Sequence, residues 1–138
     1  MSWKLIVQLS LFGLAMAVAT VSVVPSNVEP LLWLPILVLC AYLIARHAPS
    51  KPFLHGLVLG VANSVWVTAV HVLWFETYLA HHPSEAAMMK STPMPVSPRL
   101  LMACVGPIVG VVSGIVIGLL VLAAAWTLRR GRGDTARA

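Results

Sequence analysis

Five histidines and a few neutral polar side chains interrupt a chain that is otherwise almost continuously apolar, so any chemistry has to start from them. His55, Asn63, Ser64, Thr68 and His71 share one apolar run, while Gln8 and Ser113 stand in two others. In hydrocarbon such groups must find partners or line a polar space, and Gln8, His55, Asn63, His71 and Ser113 form a candidate polar path. His71 could carry a proton near one mouth of that path. Haem ligation by a histidine pair fits poorly: His55 and His71 lie on one helix, about 24 Å apart, so one copy of the chain cannot sandwich a haem between them. His81, His82, Met88 and Met89, with Glu76, Glu85 and Met94, combine imidazole and thioether groups that suit copper, in a spacing that an ordinary helix end also produces. No cofactor is predicted.

Other catalytic patterns are missing from the sequence. There is no acidic pair inside the apolar runs, no metalloprotease helix motif and no phosphate-cradling glycine loop, which leans against an enzyme. The two cysteines, Cys40 and Cys104, form no Cys-x-x-Cys and fall at different depths, so both are read as small packing residues.

The elements that must position these groups follow from composition. With 59% hydrophobic and 9% charged residues, the chain is built for a bilayer rather than for water. Four apolar runs predict an all-α fold of four transmembrane helices in an up-down bundle, forming a single domain over residues 1–138. The helices are expected at about residues 4–24, 30–47, 51–82 and 98–130, with an outer loop at 83–96 in which 84–90 could form two helical turns. Ala15-Met16-Ala17 resembles a signal cleavage triplet, but the apolar run continues past it, so an uncleaved span is expected. Ser50 and Ser97 are candidate N-caps, and Gly131 a C-terminal stop.

Small residues recur every four positions in two of the helices. Gly106, Gly110, Gly114 and Gly118 face a matching series, Gly56, Gly60, Ser64 and Thr68, in an expected antiparallel pairing. A second protomer on the Gly106 series is the alternative. In the paired arrangement His71 would lie level with Ala103, whose carbonyl loses its donor to Pro107, and could donate to it.

Charge sets the expected orientation. With both termini cytoplasmic, that side collects Lys4, Arg46, Lys51, Arg129, Arg130, Arg132 and Arg137, seven of the nine basic residues. The net charge of +5 then reports topology, and no nucleic-acid partner is expected. The sequence points to a multi-pass protein of a bacterial inner membrane. Its expected role is that of a non-enzymatic component or accessory subunit, partnered by the lipid bilayer and by itself or other membrane subunits. Alternatives are a small oligomeric transporter or channel with a polar path along the third helix, and a metal- or haem-binding membrane protein.

Overall fold

The structure is a computed structural model that describes residues 1–48, 50–91 and 95–135, with side chains described as far as Arg130. Met94 and Arg137 lie outside the described residues, as does the side chain of Arg132. The described chain is all-helical: α1 (Trp3–Ser22), α2 (Glu29–His47), α3 (Pro52–Leu73), α4 (Phe75–His81), α5 (Pro83–Ser91) and α6 (Pro98–Thr135). Four stretches are long and apolar enough to cross a membrane: Trp3–Ser22, Glu29–His47, Pro52–Leu73 and Pro98–Arg130.

α3 is the central helix, and its contact with α6 is the most extensive in the molecule. The two run in opposite directions, because Gly56 meets Gly118, Gly60 meets Gly114, Ser64 meets Gly110 and Thr68 meets Gly106. A methyl group at Gly56 would lie 2.6 Å from the Gly118 Cα, and one at Gly60 would overlap the Gly114 backbone. Lipid gives helices no hydrophobic reason to associate, so contact this close supplies the dispersion energy instead. Nearer the termini a packed cluster continues the seam, with Leu59, Ile117 and Val121 against Cys40, Ala41 and Ile44 of α2.

α1 packs on a different strip of α3. The successive contacts Ser2 with His55, Ser10 with Trp66, Gly13 with Asn63 and Thr20 with His71 show the two helices running in the same direction. His55, Asn63 and His71 each stand one position before a step of the four-residue series that starts at Gly56. One residue is about 100° of helix rotation, which turns this strip from α6 toward α1. Ala17 and Val21 close the interface against Val70.

α2 touches the bundle along half its length. Its buried residues are Cys40, Ala41 and Ile44, all toward its C-terminal end, whereas Leu31, Leu34, Val38 and Leu39 face outward. The N-terminal half therefore leaves a wedge between itself and the α3/α6 pair.

Several boundaries differ from the sequence expectation. The third helix was expected to continue to His82 but ends at Leu73, because Trp74 leaves helical geometry at φ −104°, ψ 38°. That break falls at the end of the apolar span, where freed backbone groups can reach water, and it buries Phe75 while Leu73 and Trp74 stay outward. Within the outer loop over 83–96, the helical turns expected at 84–90 are present as α5, which has no buried residue. Ser50 is no N-cap: Lys51 holds that place, in the left-handed region at φ 53°. α6 runs past Gly131 to Thr135, since no described glycine adopts the positive φ of a helix stop. Ser97 does cap α6, its Oγ accepting the Leu100 N–H at 3.3 Å.

The α3/α6 seam leaves no space for a side chain. Gly60→Ala and Gly114→Ala are each expected to cost about 1–3 kcal/mol in reversible unfolding from mixed micelles. Val112→Ala, on the outward face of α6, serves as the control. Equal midpoints for all three would mean that the two backbones do not touch in the membrane.

Candidate functional site

The wedge beside α2 is a cavity of about 640 Å³. It is bounded by α2, α3 and α6 and covered at one end by Tyr78 of α4 and by Met88 and Met89 of α5. Along α6 its wall extends from Leu101 to Ile117, which is about 24 Å of helix. Beyond Ile117 the cluster of Leu59, Cys40, Ile44 and Val121 closes it, so the cavity has a covered end and a sealed end. Its size is that of a small-molecule site, with apolar walls and a few polar groups.

The polar groups concentrate along α3. Asn63 is 5% exposed and lines the cavity, while its Oδ1, packed against Gly13 of α1, has no hydrogen-bond partner. A buried amide oxygen without a donor is costly, which makes Asn63 the most demanding group in the span. Ser64 and Ser113 also line the cavity, but each hydroxyl donates back into its own helix, to Val61 O at 2.8 Å and Gly110 O at 3.2 Å.

His71 sits at the covered end. The Thr20 hydroxyl donates to Ala17 O at 3.1 Å and has no second proton to give, so the 2.9 Å contact with His71 Nε2 is an N–H donation from the imidazole. The ring then stacks on Tyr78 at 4.4 Å between centroids, and Tyr78 stacks on His82 at 4.1 Å. His82 donates from Nδ1 to Tyr78 O at 2.8 Å, while its Nε2 is buried without a partner.

Two carboxylates flank this stack. Burial, then Glu85, then Glu29 push the Tyr78 phenol up to about 12. Burial alone would raise Glu85, but hydrogen bonds from Ser84, its own backbone N–H and Ser26, together with the nearby His82, outweigh it and hold the carboxyl below its usual range. Glu29 lies in the first turn of α2 and accepts the Trp33 indole N–H at 3.1 Å.

The structure divides the residues singled out from the sequence. Of the candidate path, Asn63, His71 and Ser113 line one cavity, whereas Gln8 is exposed on the outward face of α1. His55 is buried near the terminal end, accepting the Ser2 N–H at Nε2 (2.9 Å) and donating from Nδ1 to Lys51 O (3.0 Å), so both ring nitrogens are occupied. A continuous path from Gln8 to His71 is therefore absent among the described residues. The expected contact of His71 with the Ala103 carbonyl is also replaced by the one to Thr20: depth alone placed it beside α6, but its rotational position belongs to the α1 strip.

The possible metal ligands scatter. His81 is exposed and donates to Thr77 O, His82 is buried, and Met88 and Met89 border a cavity that His82 does not line. No group of three or more His, Cys, Asp or Glu positioned for a metal ion occurs among the described residues. Glu29, Trp33 and Tyr78 are site residues that the sequence reading did not connect with the cavity. The available signal was spacing: Glu29 and Trp33 are four apart, and Tyr78 follows His71 by seven and precedes His82 by four.

Comparison with protein-family models, curated proteins and solved structures returned no match.

Two measurements probe this site. A double-mutant cycle of Thr20→Val with His71→Phe should give a coupling of about 0.6 kcal/mol, as for other interhelical hydrogen bonds in membranes, and zero coupling would remove the bond. In a Tyr42→Phe background, ultraviolet titration should place the remaining phenol near 12. Because the folded pKa is the higher one, the stability this group contributes is full below about pH 10 and is lost as pH rises through 12. A midpoint near 10 would put Tyr78 in water.

Proposed function

We propose that this chain is a non-enzymatic, multi-pass protein of a bacterial inner membrane that binds, and in binding carries or presents, a small apolar molecule drawn from the lipid. Its four spanning helices run up and down with both termini cytoplasmic, so α4 and α5 cover the cavity at the outer surface. The excess of lysine and arginine near the termini supports that orientation.

The cavity between α2, α3 and α6 is the observation that carries this reading. Lipid-facing on one side through the loosely packed half of α2, it offers a guest an apolar wall and, at one end, polar anchors. Its sealed terminal end favours a binding pocket or a half-path over an open channel. The role of a helix-contact subunit has no observation of its own, because both four-residue series of small residues meet inside the chain.

A neutral aromatic probe tests the pocket. In lipid nanodiscs, triphenylphosphine oxide should raise the unfolding midpoint saturably, with about 2.7 kcal/mol of stabilisation at a hundred times its dissociation constant. Val105→Trp, which fills the wall, should abolish the shift while leaving the helical circular dichroism intact. If no neutral, cationic or anionic probe produces a saturable shift, the cavity is not a binding site.

A further inference from the structure

Resting on the cavity reading above, we propose that the occupant is an amphipathic organic cation, whose apolar body lies along α6 and whose delocalised positive head sits beside Glu29. Among the described residues that line the cavity, Glu29 is the only one with a formal charge. Its carboxylate is held in place by the Trp33 indole N–H at 3.1 Å, and Trp33 and Tyr78 line the same end. Both faces of the Tyr78 ring are taken by His71 and His82, so a large, weakly hydrated cation at this end gains a Coulomb partner in Glu29 and contact with the indole that holds it.

The groups around that end point the same way. Glu85 stands close enough to Tyr78 to act on its phenol together with Glu29. Arg99 pairs with Glu76 at 3.3 Å and lies over the Phe75 ring at 5.2 Å, and neither Arg99 nor Lys90 lines the cavity. His71 is engaged by Thr20, and His82, whose Nδ1 donates to the Tyr78 carbonyl, does not line the cavity.

Other guests fit less well. Among the described lining residues, an anion would meet Glu29 with no cation opposite, and a bare metal ion would find one carboxylate and no group of ligands. A small hydrated ammonium would lose its water to walls of Leu37, Val67, Met102 and Val105. A head whose charge is spread under apolar substituents avoids most of that desolvation penalty, and its body replaces lipid along about 24 Å of wall.

The test uses the full-length protein in nanodiscs with three aromatic probes of similar shape: tetraphenylphosphonium, tetraphenylborate and neutral triphenylphosphine oxide. Each is corrected for partition into protein-free nanodiscs. Wild-type protein should bind tetraphenylphosphonium about tenfold more tightly than either other probe. Glu29→Gln, which keeps an oxygen for Trp33, should remove most of that preference and leave phosphine oxide binding unchanged. Equal binding of all three probes, or a phosphonium affinity insensitive to Glu29→Gln, overturns the cation inference while the pocket survives. Loss of binding by every probe overturns both. Should Glu29→Gln fail to fold, the wild-type preference between the phosphonium and borate ions still decides the question.

Discussion

Backbone contact between α3 and α6 is the constraint on which the rest of this molecule depends. Hydrocarbon solvates leucine as well as another helix does, so two helices stay together only where they approach closely enough for dispersion to exceed what lipid offers. Gly60 against Gly114 is that approach at its closest backbone point. Once α3 has given this strip to α6, its neighbouring strip is left for α1, and α2 can reach the pair only where Cys40 and Ala41 are small enough to seat it. The cavity is the space that this order of priorities leaves.

The same logic sorts the polar groups. Where a hydroxyl can turn back on its own helix it does so, as Ser64, Ser113 and Ser10 show, and such groups have little left to offer a guest. Groups that cannot satisfy themselves look across an interface. Trp66 donates to Ser10 at 3.3 Å and His71 to Thr20 at 2.9 Å, so the α1/α3 interface is a polar one, in contrast to the bare-backbone contact on the other side of α3. Asn63, at the boundary of these two environments, is left with an unmatched oxygen.

Much of the helical scaffold was legible in the sequence because lipid enforces length and apolarity without exception. The positions at which small residues recur were equally plain, as was the Ser97 cap. Rotation was harder to read. Ser64 and Asn63 are adjacent in the chain yet face different helices, and His71 was placed by depth when its direction mattered. The break at Trp74 carries no glycine or proline to announce it; it follows from where Phe75 can be buried. Glu29 and Trp33 read as ordinary boundary residues, since nothing local reveals that α2 would lean away from its neighbours over that half. A cavity is a property of three helices together, and no single helix encodes it.

The two strips of α3, one residue out of step, make this helix intolerant of a change in length. Inserting or deleting one residue between Leu57 and Val67 would rotate everything beyond it by about 100°. An insertion would present Asn63 or His71 to the α6 glycines, and a deletion would set Ser64 against α1. Either way one interface would receive the other's chemistry. The outward-facing half of α2 has no such double obligation, so variation in length among related chains should gather there and in the segments that follow Trp74, while α3 keeps a fixed count.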